Sequence, residues 1–123
     1  MSKFRIILSA AATGLLATSA LAAGPPSGVK AGADGYVAAS GLPLYTWDND
    51  TMVGMSHCFA DCAKAWPPLI ASAKAKASGD WSLVKREDGA LQWAYKTKPL
   101  YTCARDTVGK PATCVEGGWR PAK

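Results

Sequence analysis

The sequence predicts a mainly β fold: two tandem antiparallel β repeats forming one small domain, with one short α-helix near residues 57–66. Three observations carry this. The phrase "LYTWDND" at residues 44–50 returns as "LYTCARD" at residues 100–106, and the same offset maps Thr51 onto Thr107 and Cys58 onto Cys114. The dipeptides Asp34-Gly35 and Asp88-Gly89 each stand between strand-like runs, as tight hairpin turns do. In "ALQWAY", Leu91, Trp93 and Tyr95 alternate with Ala90, Gln92 and Ala94, the period of a strand.

Residues 1–23 stand apart from this pattern. Lys3 and Arg5 precede an apolar run diluted by Ser and Thr, and the run ends in Ala20-Leu21-Ala22 before "AGPPSG". That layout predicts a signal peptide cut after Ala22 or Ala23, followed by a single domain over residues 24–123. No Cys sits at the cleavage site to accept a lipid, so the expected product is neither membrane-spanning nor lipid-anchored. The expected location is the periplasm or the medium. Losing Lys3 and Arg5 reduces 14 basic residues to 12 against 9 acidic ones, or +3 in place of +5. The remaining basic residues are scattered, which argues against nucleic acid as a partner.

Each copy then reads as an Asp-Gly turn, a strand, a second turn and a strand carrying "PLYT", with the second copy two residues longer. "WSLVKR" is the expected hairpin partner of "ALQWAY". In "SHCFADCAKAWPP", Ser56 offers an N-cap and Pro67-Pro68 a stop, which predicts the helix and puts Cys58, Cys62 and Trp66 on one stripe facing the sheet. The small-residue, Lys-dotted stretch 71–80 is expected to be a loop between copies spanning about residues 28–69 and 81–119.

In combination, these residues resemble the secreted-repeat family of exported bacterial proteins known as predicted lipoproteins with a Yx(FWY)xxD motif. The resemblance rests on Tyr45, Trp47 and Asp50, on Cys58-x-x-x-Cys62-Ala63, on "WPPL" from Trp66, on "QWAYKTKPLYT", and on Tyr101 with Asp106. It implies export and an unassigned function, and it offers no catalytic residue. Three features depart from the family pattern. The lipid-acceptor Cys is missing, Cys103 replaces an aromatic in the second motif, and Met52, Met55 and His57 crowd a turn expected to be blander.

The repeated Tyr and Asp have a structural reading, in which aromatics pack a core and Asp accepts backbone hydrogen bonds in a turn. A binding site lined by Tyr45 and Asp50, and again by Tyr101 and Asp106, is the sharper alternative. Duplication favours the first, because each folding unit must restate its own structural residues. Four Cys in an exported domain predict disulfides. In a helix, residues i and i+4 lie about 6 Å apart, within disulfide reach. If the copies share a fold, Cys103 takes beside Cys114 the place that Trp47 takes beside Cys58. The expected pairs are therefore Cys58–Cys62 and Cys103–Cys114, the second worth about 3 kcal/mol in the chain-entropy model.

Other chemistry is thinner. The spacing of "CFADC" exceeds the C-x-x-C of thiol oxidoreductases, the Cys103–Cys114 spacing is not a zinc knuckle, and C-x-x-C-H for haem is absent. There is a single His, no Gly-x-Ser-x-Gly, no H-E-x-x-H and no phosphate loop, so no enzyme is expected. Five Trp and four Tyr invite a glycan-binding reading, which small aromatic cores explain equally well. The expectation is an exported envelope protein of unassigned role, a non-enzymatic binding or structural domain with no cofactor and an unidentified envelope partner. The leading alternative is a copper-binding or thiol-redox protein using Met52, Met55, His57 and the Cys58/Cys62 pair.

Overall fold

The computed structural model describes residues 24–123; residues 1–23, on which the expectation of a signal peptide rests, lie outside the described residues. The described chain is mainly strand. β1 (Val29–Gly32) and β2 (Gly35–Ala38) form a hairpin, and β3 (Tyr45–Trp47) follows. The helix α1 (Asp61–Ala65) leads to β4 (Ile70–Ala71), then to the hairpin of β5 (Trp81–Lys85) and β6 (Leu91–Tyr95). The short β7 (Lys98–Pro99) and the C-terminal β8 (Trp119–Pro121) complete the order. All pairings are antiparallel: β1 with β2, β3 with β8, and β6 with β5 on one edge and with β4 and β7 on the other.

The copies are interlocked. Leu44 N–H donates to the Tyr36 carbonyl (3.0 Å), as Leu100 N–H donates to that of Trp93 (2.9 Å), so the two hairpins occupy equivalent places. Each hairpin is then closed by the tail of the opposite copy. Tyr36 N–H donates to the Ala122 carbonyl (2.7 Å), and Trp93 N–H donates to the Leu69 carbonyl (2.9 Å). Ala122 N–H returns to the Leu44 carbonyl and Leu69 N–H to the Leu100 carbonyl, both at 2.9 Å. Gly35 is required where the first hairpin meets its tail: its φ is +141° and a Cβ would stand 2.6 Å from the Ala122 carbonyl oxygen.

Two apolar clusters result. One gathers Leu44, Trp81, Trp93 and Leu100 beneath the hairpins. The other gathers Tyr45, Trp66, Tyr101 and Trp119 with Cys58, Cys103 and Cys114 at the junction of the copies. Trp119 is sandwiched there, 3.8 Å from Trp66 and 4.8 Å from Trp47 between ring centroids, with interplanar angles of 4° and 3°. Tyr45 stands edge-on to Trp66 and Tyr101 edge-on to Trp119, each at 5.1 Å.

Two expectations need correction. The helix spans Asp61–Ala65 in place of residues 57–66, and Ser56 does not cap it. The Ser56 hydroxyl is engaged by Tyr101 and by the Cys58 N–H, while Ala60, with a φ of 51°, interrupts the backbone before the helix begins. Cys58 therefore lies ahead of the helix, and only Cys62 and Trp66 share its last turn, where Trp66 N–H donates to the Cys62 carbonyl. The connector is loop from Ser72 onward, but Ala71 belongs to β4 and pairs with Leu91.

Candidate functional site

The repeated motif forms a reciprocal pair of tyrosine–aspartate contacts between the copies. Tyr45 hydroxyl donates to Asp106 Oδ2 (2.5 Å), and Tyr101 hydroxyl donates to Asp50 Oδ2 (2.6 Å). The second carboxylate oxygen ties a loop at the same position in each copy: Asp50 Oδ1 accepts the His57 N–H (2.7 Å) and Asp106 Oδ1 accepts the Thr113 N–H (3.0 Å). Each Asp thus holds the residue just before a disulfide Cys. Tyr45 and Tyr101 are fully buried. Burial first, and then the hydrogen bond to Asp106, pushes the Tyr45 phenol up to about 12; burial and Asp50 raise Tyr101 likewise. Burial works against the Asp106 carboxylate, but hydrogen bonds from Thr113 and Tyr45 outweigh it and hold the carboxyl below its ordinary value.

Trp47 and its counterpart Cys103 differ in role. Trp47 covers the outer face of Trp119, whereas Cys103 is bonded to Cys114 and leaves the stack to end at Trp66. Cys58 is bonded to Cys62. Cys103, Asp106 and Cys114 have atoms within 4.8 Å of one another, but a disulfide holds both sulfurs and no thiolate is on offer to a metal. Of the four sulfurs, only that of Cys62 belongs to a residue that is not buried.

From the Asp50 anchor into the Cys58–Cys62 loop runs the most apolar exposed segment among the described residues. Met52 is 54% exposed, Val53 75%, Met55 46% and Phe59 38%. Met55 N–H donates to the Met52 carbonyl (3.2 Å), so the two Met side chains leave one turn. His57 is exposed, and its Nδ1 lies 3.6 Å from Asp50 Oδ1. Met52, Met55 and His57 thus share one exposed loop, while Tyr45, Asp50, Tyr101 and Asp106 are buried or half-buried at the junction.

Sequence reasoning missed a polar knot behind this loop. Arg86 Nη1 donates to Gln92 Oε1 (2.7 Å) and Ser56 Oγ (3.2 Å), and Nη2 donates to the Cys58 carbonyl (2.8 Å). Gln92, fully buried, donates in turn to the Leu100 carbonyl (2.8 Å). An inward-pointing Gln in an otherwise apolar strand was the available signal. The tail equivalence was also legible, because Trp119-Arg120-Pro121 repeats the Trp-x-Pro of Trp66-Pro67-Pro68.

Fold and site define a small, disulfide-tied β protein made of two copies that complete each other. The chain belongs to the lipoprotein-15 family, described as a secreted repeat of unknown function, which matches residues 28–70 and 82–123. The second match runs past Trp119 to the C-terminal strand that closes the first copy. No curated protein and no solved structure matches the chain. No helix among the described residues is long and apolar enough to cross a membrane.

Proposed function

We propose that this is a non-enzymatic binding or structural domain of the cell envelope that engages an envelope component through residues 52–59. The observation that carries the reading is the run of exposed Met52, Val53, Met55 and Phe59 on a segment tied at both ends. A tethered apolar loop loses little conformational freedom on binding, so most of its apolar contact area contributes to affinity. The repeated Tyr and Asp side chains support the non-enzymatic part, because they are spent on one another and on loop backbone. A photo-crosslinking residue at Phe59, in living cells, tests the reading. We expect one dominant adduct, and its loss when Met52, Val53 and Met55 are all replaced by Ser. An adduct indifferent to that triple change, or none, sinks the reading.

A second reading, copper binding, is favoured by Met52, Met55 and His57 sharing one exposed loop. The Asp50 carboxylate beside Nδ1 would orient the ring and leave Nε2 as the ligand atom. With the sulfurs of Cys58 and Cys62 joined, the ligands are two thioethers and one imidazole, which suits Cu(I). Native mass spectrometry with Cu(I) should show one added ion, lost in the Met52, Met55 and His57 alanine variants. Unchanged mass rejects it. Thiol-redox activity, the remaining alternative, rests on the partly exposed Cys62 sulfur.

A further inference from the structure

The two copies differ at one matched place. Copy one carries an open cleft of about 330 Å³ beneath the β1–β2 hairpin, floored by Val37, Pro43 and Leu44 and walled by Gly35, Pro111 and Ala112. Copy two fills the equivalent space with its own side chains. The equivalence follows from the shared hydrogen bonds: Tyr36 corresponds to Trp93 and Leu44 to Leu100, which makes Gly35 the counterpart of Gln92. The constant loop offset makes Ala112 the counterpart of Ser56 and Cys114 that of Cys58. Gln92, Ser56 and the Cys58 carbonyl are the three groups that hold the Arg86 guanidinium. Arg86 reaches them because the second hairpin runs beyond the first by Lys85–Leu91 and Arg86–Ala90. The first hairpin stops at Gly32–Gly35 and has no such residue to fold back.

We propose that the cleft of copy one receives an arginine side chain from a partner polypeptide, in the manner that copy two receives Arg86. The apolar floor suits the methylene stem of arginine. The acceptor on the lining itself is the Asp34 carboxylate on the hairpin turn; behind Ala112, the carbonyl of buried Cys114, counterpart of the Cys58 carbonyl that holds Arg86, accepts no hydrogen bond from the described residues. Lys110 also lines the cleft, exposed, with a flexible stem that lets its charge turn to solvent. A planar guanidinium with five donors can meet a carbonyl and a carboxylate together, which a compact, strongly hydrated ammonium does less well. This site is separate from the 52–59 loop and goes beyond the reading above.

The test uses the exported protein, isotopically labelled, titrated with the capped tripeptide acetyl-Gly-Arg-Gly-amide and its Lys, citrulline and Leu versions. The Arg peptide should move the amide resonances of Gly35, Gly41 and Ala112 saturably, and bind several-fold tighter than the other three. Asp34→Asn, on an exposed turn, should weaken the Arg peptide roughly two- to fivefold, as losing a surface ion pair does. It should leave the Leu peptide unchanged. Ala112→Leu should abolish the shifts while both disulfides and the Trp near-ultraviolet signal persist. If the Leu peptide binds as well as the Arg peptide, or no peptide moves those amides, the proposal is overturned. Shifts confined to the Met52 and Met55 methyls overturn it too, while leaving the 52–59 surface in place.

Discussion

Tyr45 and Tyr101 lie side by side across the junction, each donating its N–H to the carbonyl of the other, at 2.8 and 3.0 Å. Each hydroxyl then reaches the aspartate of the copy to which its own ring does not belong. Neither copy owns a complete motif, so the repeated phrase is a mutual clasp.

Removing one hydroxyl from the clasp should cost stability unequally. In Tyr101→Phe the fully buried Asp50 carboxylate and the buried Ser56 hydroxyl both lose a short hydrogen bond, whereas in Tyr45→Phe the half-buried Asp106 can turn to water and the Cys114 N–H loses only a longer, 3.2 Å bond. We expect the first near the top of an about 1–3 kcal/mol range and the second near the bottom. Denaturant melts of the oxidised proteins check the order; equal costs would contradict it.

The same groups set the pH range of stability. A folded-state phenol near 12, against 10.0 unfolded, contributes stability that is complete below pH 10 and lost as pH rises towards 12. Tyr101, raised for the same reasons, adds to that loss. Asp106, lowered from 3.8, contributes stability that is present above that value and lost as pH falls through its folded pKa. Thermal melts should therefore hold level between about pH 5 and pH 9 and fall at both ends. In Tyr45→Phe the alkaline fall should be shallower. A phenolate absorbance titration that shows all four Tyr ionising together near their ordinary value would remove the account.

The two disulfides should part company under reduction. Cys103 and Cys114 are both buried, while Cys62 is partly exposed and open to an attacking thiolate. Mild reductant followed by alkylation should label Cys58 and Cys62 first, as read by peptide mass. Paired Cys→Ala changes should cost about 3 kcal/mol at 103–114 and about 2 kcal/mol at 58–62, by loop length. Labelling that begins at Cys103 or Cys114 would invert the assignment.

A single copy should not fold. Residues 24–71 would lack β8, the strand that pairs with β3, and Trp119, which covers Trp66 and Trp47. We expect that fragment to show unfolded circular dichroism, and Trp119→Ala in the whole protein to lose about 3–5 kcal/mol together with the coupled Trp signal. A cooperatively folded fragment would mean that the clasp is incidental.

Thr97 offers a gain. It sits with Lys96 in the two-residue turn between β6 and β7, both at positive φ (71° and 47°), where a β-branched side chain is strained. Thr97→Gly should raise stability by about 1 kcal/mol despite its entropy cost, read as a higher melting temperature.

Much of this was legible in local pattern. The period-2 alternation of Leu91–Tyr95 and the Asp-Gly turns are short-range signals, and β2, β5 and β6 stand where they point. The copy offset of the Cys positions placed Cys103 opposite Trp47, and the structure pairs Cys103 with Cys114. The helix start was misread because Ser56 is a sound cap by type, yet its hydroxyl is claimed by Tyr101, a residue 45 positions away. No local rule contains that competitor.

The sequence by itself determined that there are two β copies, where their turns fall, and which residues recur. Recurrence is blind to which copy a side chain serves, because identical phrases pair within or between copies with the same residue types. Only the tertiary structure decided that Tyr45 takes Asp106, that the Trp119 tail closes copy one, and that Arg86 fills one cleft while its counterpart stays open. Those outcomes depend on hydrogen bonds and ring contacts between residues far apart in the chain, and such contacts exist only once the chain has closed on itself.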